Sequence, residues 1–248
     1  FLGRPHGLAE GLAALDLAQA TFARVSFDLI YARPGQTPEA WSAELARALA
    51  FGTGHLSLYQ LSVEPGTRFA ALARTGRLAV PDGDAAADLW AVTQELTAAA
   101  GLPLYEISNH ARPGEESRHN LSYWTWGDHV GVGPGAHGRR AGRATQRRRR
   151  PEAWLEAVRT RGHGLEQETP LGPAEAAREA LLMGLRLAEG VEAARFARRT
   201  GMALEAAIDG DAAAELARLG LVERRPGRLR VTAAGLPLLD AILPRLVR

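Results

Sequence analysis

The sequence predicts an α/β fold in which strands and helices alternate, followed by a small helical winged-helix-like module. Two observations carry this prediction. Through residues 1–110 helical and strand patterns follow one another in turn, and after residue 174 several helices precede a β-hairpin. A hydrophobic content of 46% in 248 residues is enough to bury the core of such a fold.

The composition excludes several classes of protein. Cysteine is absent, which excludes disulfides and thiolate metal sites within these residues. All 30 basic residues are arginine and the net charge is only +2, so the arginine content indicates a compositional bias and we expect no nucleic-acid binding. No apolar run approaches the roughly 20 residues of a membrane span, and no signal-peptide pattern opens the chain. We expect a cytoplasmic protein without stable membrane insertion.

The first 110 residues are predicted to form a sheet and its covering helices. Residues 7–22 carry leucines at helical spacing, which predicts an amphipathic helix. The elements predicted to follow are a buried strand at 24–32, a helix that starts at Pro38 and ends before Gly52, a strand at 55–61, a helix at 84–101 and a strand at 103–108. Helices between strands predict βαβ units and a parallel sheet, in which ligands meet the carboxyl ends of the strands. These ends are expected at Tyr31 to Arg33, Leu61 to Val63 and Ser108 to His110.

The composition changes after residue 140. The segment RATQRRRRPEAW predicts a basic connector that leads into a helix, with Arg147 to Arg150 in solvent, and residues 161–173 are rich in Gly and Pro. The tail is predicted as helices at 174–189, 192–200 and 211–219, two strands joined by a turn at Pro226-Gly227, and a helix at 233–246. We accordingly expect three domains, at 1–110, 111–160 and 174–248.

Asp28 is the first candidate site residue, because a carboxylate inside an apolar strand costs free energy unless it is paired or serves a ligand. The strand alone leaves two interpretations open. In the first, the Asp28 carboxylate caps a loop or pairs with an arginine such as Arg4 or Arg33. In the second, it binds a ligand. Its predicted position near the end of a parallel strand favours a ligand hydroxyl, as in sites where an Asp accepts from ribose.

The segment SRHNLSYWTWGDHVGVGPGAHGRR, residues 117–140, is the second candidate. His119 and Tyr123 are four residues apart and would share a helix face, and imidazole ligates iron or zinc beside aromatic planes that suit a flat ligand. Core packing of Tyr123 and Trp124 around a structural histidine is the more common outcome for such residues. The gaps between the histidines match no zinc-ligand spacing. The glycines of GVGPGAHG do not match GxGxxG, and they suit either a ligand or close packing of a strand.

Several segments, taken together and in order, resemble one family. They are FDLIYARPGQT, HLSLYQLSVEPGT, YEISNHARPGEESRHNLSYW, GDHVGVGPGAHG, MGLRLAEGV and LRVTAAGLPLLD. Running nearly end to end, they resemble the HemW heme chaperones, a radical-SAM family whose sister family is the oxygen-independent coproporphyrinogen III oxidases. The resemblance implies a partial radical-SAM (β/α) barrel followed by a winged-helix-like domain. It also implies three cofactors: heme, S-adenosylmethionine and a [4Fe-4S] cluster.

The resemblance assigns S-adenosylmethionine contacts by position. Arg4 in LGRPH resembles the arginine that contacts this cofactor, and Asp28 in FDLIY resembles the carboxylate that holds its ribose hydroxyls. Ile30, Ser62 and His137 fall where the sister oxidases touch the adenosyl group. The family's CxxxCxxC loop, which holds the cluster, has no counterpart in a sequence without cysteine, so the chain is expected to be the carboxyl-terminal two-thirds of such a protein.

The HNxxYW segment is associated with heme binding in that family. The resemblance therefore makes His119 the expected ligand of the heme iron, with Asn120, Tyr123 and Trp124 shaping the pocket. His110 stands where an aromatic residue is common, which leaves a second heme contact open. The sequence also departs from the usual GLPGQT at Ala32 and Arg33.

The function implied is that of a heme-binding chaperone that passes heme to a hemoprotein acceptor, with a homodimer among the expected assemblies. The alternative is the oxygen-independent coproporphyrinogen III oxidase of porphyrin biosynthesis, in which an adenosyl radical abstracts hydrogen from a propionate before decarboxylation. HNLSYW and the short hairpin-bearing tail favour the chaperone. A third hypothesis makes the arginines of the tail hairpin a phosphate-binding surface, but nearby acidic residues such as Glu223 favour a packing module.

Overall fold

The computed structural model describes residues 7–248, and the chain divides into two compact units, Phe1–Glu116 and Ser117–Arg248. The elements of the first unit are α1 (Leu8–Thr21), β1 (Ser26–Tyr31), α2 (Pro38–Leu49), β2 (His55–Gln60), α3 (Arg68–Arg74), α4 (Gly83–Ala99), β3 (Leu104–Glu106) and β4 (Asn109–Ala111). Helices α2, α3 and α4 begin where the sequence supplies a cap, because Thr37, Thr67 and Asp82 each accept a hydrogen bond from the backbone N–H three residues on.

The sheet of the first unit has the strand order β1-β2-β4-β3. Strands β1 and β2 are parallel, as the helix between them predicts. The prediction of a wholly parallel sheet is wrong, because β4 pairs antiparallel with both β2 and β3. The predicted strand at 103–108 ends at Glu106, the chain turns back at residues 107–108, and residues 109–111 enter the sheet as a separate strand.

The apolar core of this unit lies on one face of the sheet, under α2 and α4. Tyr31 stacks on Trp41 with ring centroids 5.0 Å apart, and Trp41 Nε1 donates to Thr93 Oγ1 at 2.8 Å. Burial raises the pKa of Tyr31 to about 12. Tyr31 and Ala32 are therefore core residues, not the ligand-facing strand end that we predicted, and Arg33 is held by Glu44 on α2.

The elements of the second unit are α5 (Arg118–Trp124), β5 (His137–Arg140), β6 (Arg143–Arg147), α6 (Pro151–Arg161), β7 (Leu165–Pro170), α7 (Pro173–Gly184), β8 (Val191–Glu192), α8 (Ala193–Thr200), α9 (Leu204–Ala207), α10 (Gly210–Arg218), β9 (Val222–Arg225), β10 (Arg228–Val231), a 3-10 turn (Leu236–Leu238) and α11 (Leu239–Leu246). They include two antiparallel three-stranded sheets, ordered β5-β6-β7 and β8-β10-β9.

The sheet β5-β6-β7 replaces part of the predicted basic connector. Residues 143–147 form its central strand, and Arg147 is half-buried with its Nε donating to the Gly131 carbonyl at 3.0 Å. The prediction of a solvated run is therefore wrong for Arg147 and Arg148, which are half-buried, and is confirmed for Arg149 and Arg150, which are exposed. Arginine-rich strands escape a search for apolar alternation because long side chains pack their methylene stems while the charged heads reach water.

The winged-helix-like module contains the predicted hairpin. Strands β9 and β10 pair through the two-residue turn Pro226-Gly227, and β8 adds a third strand. Helices α7, α10 and α11 bury one apolar face each, with Leu181, Leu216 and Ile242 almost fully excluded from solvent. None of the helices in the described part of the chain combines the length and the apolar character that crossing a membrane requires.

Candidate functional site

Polar side chains occupy the face of the first sheet opposite its apolar core. In β1 the side chains alternate, so that Phe27 and Leu29 pack towards the core while Asp28 is exposed on the other side. Asp28 is the register partner of Ser57 on β2. Asp28 therefore lies on a solvent-accessible polar face and not inside a buried strand, because β1 is an edge strand within the described residues.

A chain of hydrogen bonds runs across this polar face. His55, which is mostly buried, accepts or donates through both ring nitrogens: Nδ1 lies 2.6 Å from Ser26 Oγ, and Nε2 lies 2.8 Å from the Tyr105 hydroxyl. Burial lowers the pKa of His55, and the nearby Asp28 carboxylate opposes this effect. The imidazole is thus a fixed, mainly neutral hydrogen-bonding group close to Asp28.

Two further buried polar residues complete the face. Glu106 accepts hydrogen bonds from the Ser108 backbone N–H at 2.9 Å and from the Asn109 side-chain amide. Asn109 is the register partner of Ser57, and its Oδ1 is buried without a hydrogen-bond donor among the described residues. Within the described part of the chain, Asn109 Oδ1 is therefore an unsatisfied buried acceptor next to Ser57. We missed His55 and Ser57 in the sequence, although the polar alternation in HLSLY was a usable signal, whereas Asn109 is part of the expected strand end Ser108 to His110.

The other predicted S-adenosylmethionine contacts are distributed over both units. Ile30 lies on β1 on the same side as Asp28, and Ser62 follows β2, where its hydroxyl donates to Glu64 at 3.0 Å. His137 is an exposed residue of β5 in the second unit. Arg4 lies outside the described residues.

His110 does not belong to a surface site. Its ring is fully excluded from solvent between β4 and α4, with Nε2 3.4 Å from Gln94 Oε1. Burial lowers its pKa to about 4. The expected strand end at Ser108 to His110 and the heme contact left open for His110 are both wrong, because the chain turns at residues 107–108 and carries the imidazole into the core.

Helix α5 in the second unit carries the predicted heme residues. It begins at Ser117, whose Oγ accepts from the Asn120 backbone N–H at 3.3 Å. His119 is exposed, and its ring meets Tyr123 edge-on with centroids 4.7 Å apart, while its Nε2 lies 3.2 Å from the Tyr123 hydroxyl. The spacing of four residues therefore brings His119 and Tyr123 together as predicted.

A second histidine, which the sequence did not single out, lies against the same phenol ring. His129 and Tyr123 have ring centroids 4.2 Å apart, and His129 Nδ1 lies 3.3 Å from the Gly127 carbonyl. Burial is the main cause that lowers the pKa of His129. Tyr123 is thus in contact with two imidazoles, one exposed and one half-buried.

Trp124 lies on another part of α5 and has different surroundings. With Gly184, Leu187 and Phe196 it lines a pocket inside the second unit, and the Arg186 guanidinium lies 5.0 Å from its ring centroid. Its Nε1 is buried without a hydrogen-bond partner among the described residues. Successive residues of a helix point about 100° apart, so Trp124 is directed away from the face shared by His119 and Tyr123.

Trp126, the second residue after the end of α5, takes an unusual backbone conformation. Its φ is 52°, in the left-handed region, and the hydrogen bonds Trp126 N to Tyr123 O (2.8 Å) and Gly127 N to Ser122 O (2.6 Å) form a Schellman motif around it. This position usually belongs to glycine, and a bulky residue there is strained. The Trp126 indole is anchored by Glu179, which accepts from Nε1 at 3.1 Å.

Gly131 and Gly138, in the segment after Trp126, allow two backbone segments to pack closely against each other. A side chain at Gly131 would meet the His137 carbonyl at 2.5 Å, and one at Gly138 would meet the Gly131 nitrogen at 2.7 Å. The two backbone segments therefore touch, which is the alternative to ligand binding left open for GVGPGAHG. Val130 and Val132 remain exposed on this loop.

The arginines of the tail hairpin are paired with acidic groups. Arg225 and Arg230 both contact Glu223, and Arg228 lies 3.7 Å from Glu189. The contacts from Arg225 and Arg230 lower the pKa of Glu223, and the hydrogen bond from Arg225 is the largest cause.

Comparisons with known proteins give the chain its relatives. Residues 171–238 match the model of the HemN C-terminal domain. The mouse mitochondrial radical S-adenosyl methionine domain-containing protein 1 is 40% identical over 200 residues, which are 77% of this chain and 45% of the mouse protein. The heme chaperone HemW of Mycobacterium tuberculosis is 35% identical over 247 residues, which are 99% of this chain and 61% of that protein.

A solved structure supports the same relationship at the level of the fold. The coproporphyrinogen III oxidase HemN from Escherichia coli, a radical SAM enzyme, superimposes with a TM-score of 0.74 at 20% identity, covering 98% of this chain and 59% of that chain. The chain is therefore similar to the HemW and HemN proteins of the radical-SAM family. The predicted fold class, a partial radical-SAM barrel with a winged-helix-like carboxyl-terminal domain, is confirmed by this likeness. The chain spans about half to three-fifths of the lengths of these relatives.

Two of the three cofactors that the resemblance implies, S-adenosylmethionine and the [4Fe-4S] cluster, differ in how well these residues suit them. The polar face around Asp28 suits the sugar of S-adenosylmethionine, because the exposed Asp28 carboxylate can accept hydrogen bonds from hydroxyl groups. An iron-sulfur cluster needs thiolate ligands, and the 248 residues contain no cysteine. These residues therefore do not hold the cluster.

Proposed function

We propose that this chain is the heme-binding part of a heme chaperone, which takes up heme at His119 and passes it to a hemoprotein acceptor. The observation that carries the proposal is the exposed His119 imidazole packed edge-on against Tyr123 on a capped helix. The name of the Mycobacterium tuberculosis relative, heme chaperone HemW, supports the same function.

The chemistry of heme suits a site with so few ligands. Porphyrin nitrogens already occupy four positions around the iron, so the protein needs to supply only an axial ligand, for which imidazole is a common choice. Within residues 7–248 no group of three or more His, Cys, Asp or Glu could hold a bare metal ion. A histidine beside an aromatic ring therefore favours a metal that arrives with its own macrocycle, and Asn120, on the same helix, belongs to the proposed pocket. Trp124, which we also expected to shape this pocket, lines a different one.

We propose in addition that Asp28 holds the ribose hydroxyls of S-adenosylmethionine, with Ile30 and Ser62, and with Arg4 and His137, as further contacts. When bound, this cofactor supplies an adenosyl group and a sulfonium centre. The residues of this chain orient it: the Asp28 carboxylate accepts from hydroxyls, and the Ser26–His55–Tyr105 hydrogen bonds keep the adjoining surface fixed. Ligands of a [4Fe-4S] cluster would have to come from outside these residues.

The second candidate function is that of the coproporphyrinogen III oxidases, whose reaction is an oxidative decarboxylation. The observation in its favour is the polar face itself, because fixed neutral groups around a cofactor are what an enzyme needs to orient a substrate. The two functions differ in the ligand that binds tightly. A chaperone binds the iron-containing macrocycle, whereas the oxidase binds the metal-free porphyrinogen.

A hemin titration followed by its visible spectrum tests the proposal. We expect one hemin per chain with a Soret band of the imidazole-ligated type, and at least about tenfold weaker binding by His119→Ala. The matched control is His163→Ala, which removes an exposed histidine of the same unit and should leave binding unchanged. Failure of the parent chain to bind hemin, or equal loss in both variants, would overturn the proposed site.

The partners included in this proposal are heme, a hemoprotein acceptor and a second copy of the chain in a homodimer. We place the protein in the cytoplasm, without nucleic-acid partners or stable membrane insertion. Size-exclusion chromatography with light scattering tests the dimer, and fractionation of cells tests the location, for which the mitochondrial mouse relative is the contrasting case.

A further inference from the structure

Two imidazoles, and not one, lie against the Tyr123 ring. His119 and His129 have ring centroids 4.7 Å and 4.2 Å from that of Tyr123. His119 comes from the first turn of α5, whereas His129 comes from the loop after it, so the pair is created by the fold of the second unit alone.

The hydrogen bonding of His129 is the kind that metal-binding histidines use. The Gly127 carbonyl can only accept, so Nδ1 of His129 carries the proton in the 3.3 Å contact between them. That tautomer leaves the lone pair on Nε2, and no residue in the described part of the chain forms a hydrogen bond to Nε2. Histidines that ligate metals commonly donate the other ring N–H to a backbone carbonyl in this way.

His129 is also held more firmly than His119. Its backbone forms two hydrogen bonds with that of Arg139. The His129 N–H donates to the Arg139 carbonyl at 2.7 Å, and the His129 carbonyl accepts from the Arg139 N–H at 2.9 Å. Its ring is half-buried, whereas His119 is exposed and its Nε2 is engaged by the Tyr123 hydroxyl at 3.2 Å. The better oriented nitrogen for an incoming iron is therefore Nε2 of His129.

We propose that His129 is the inner ligand of the heme iron, acting through Nε2, and that His119 is the outer ligand to which the iron moves before release. This inference rests on the proposed heme-binding function and adds a second ligand to it. In the transfer step the bond from iron to His129 Nε2 breaks as a bond from iron to a His119 nitrogen forms, with no change in iron oxidation state and no proton consumed. Both rings contact the same Tyr123 ring, so two neighbouring imidazoles are available to hold the iron in turn.

Hemin titrations of four forms of the chain test this assignment. The forms are the parent, His119→Ala, His129→Phe and the double variant, and the readouts are the Soret band, the affinity and the rate at which apomyoglobin removes the heme. Phenylalanine keeps a ring against Tyr123 and removes only the nitrogens, and circular dichroism checks that each variant is folded. His163→Ala again serves as the control histidine.

We expect His119→Ala to bind hemin at least about tenfold more weakly, as proposed above, but to keep an imidazole-type spectrum when loaded and to transfer heme to apomyoglobin more slowly. We expect His129→Phe to lose about tenfold to a hundredfold in affinity, and the double variant to lose the imidazole spectrum. If His119→Ala alone abolishes that spectrum, or if His129→Phe equals the parent, the inner-ligand assignment is overturned while heme binding stands. A parent chain that binds no hemin overturns the proposed function itself, and the assignment with it.

Discussion

The guanidinium of Arg139 lies 4.4 Å above the ring centroid of Trp126, beneath the loop that carries His129. Arg139 is almost fully buried, donates to the Gly127 carbonyl at 3.3 Å and lies 3.7 Å from Glu179. Burial lowers the pKa of Arg139, and Glu179 opposes that effect. The buried Arg139 guanidinium and the Glu179 carboxylate therefore stabilise the strained backbone conformation at Trp126.

The first prediction concerns this anchor. Arg139→Ala is expected to lower the free energy of unfolding by about 2 to 3 kcal/mol, because it removes the cation–π contact, the hydrogen bond to Gly127 and the packed methylene stem together. Urea unfolding followed by tryptophan fluorescence measures this loss. The neighbouring exposed Arg140 provides the control, since Arg140→Ala should change the stability by less than about 0.5 kcal/mol. Equal effects of the two substitutions would contradict the role given to Arg139.

The second prediction concerns the turn between β5 and β6. Ala141 and Gly142 form a two-residue turn with φ values of 49° and 71°, the pattern of a type I′ hairpin. Alanine is strained at positive φ, so Ala141→Gly should raise the free energy of unfolding by about 0.5 to 1 kcal/mol. Gly142→Ala should lower it by a similar amount. Thermal unfolding of both variants measures the pair, and shifts of the same sign would count against the assigned turn.

The third prediction concerns the pH dependence of stability. His110 has a folded pKa of about 4, below the ordinary 6.5, so the unfolded chain binds the proton more readily. The stability that this difference contributes is present above pH 6.5 and is lost as the pH falls from 6.5 towards 4. The loss amounts to roughly 3 kcal/mol for a fully buried ring.

His110→Phe keeps the ring volume and removes this proton linkage. Urea unfolding at pH 5 and pH 7.5 should therefore show a smaller difference in the variant than in the parent. Some dependence should remain, because burial also lowers the pKa of His55. An unchanged difference between the two pH values would show that His110 is not the group responsible.

The fourth prediction concerns the polar face of the first sheet. If Asp28 accepts hydrogen bonds from ribose hydroxyls, Asp28→Asn should weaken the binding of S-adenosylmethionine by about tenfold, as measured by calorimetry. Asp84→Asn, which removes an exposed carboxylate at the start of α4, is the matched control. Binding that is unaffected by Asp28→Asn, or equally affected by both changes, would remove Asp28 from the cofactor site.

Local sequence was sufficient for much of this protein. Pro38 and Gly52 predicted the bounds of α2, the Pro226-Gly227 pair predicted the hairpin β9–β10, and the four-residue spacing predicted the contact between His119 and Tyr123. Each of these features depends on residues within a few positions of one another, and such interactions are decided by backbone geometry alone.

Only the tertiary structure decided the rest, because the interactions concerned join residues distant in sequence. The antiparallel entry of β4 carries His110 into the core, and the edge position of β1 exposes Asp28. The loop after α5 folds back on β5 and brings His129 to Tyr123. Residue types specify which groups are available for chemistry, but the pairing of strands and loops determines which of them meet, and no local pattern in the sequence encodes that pairing.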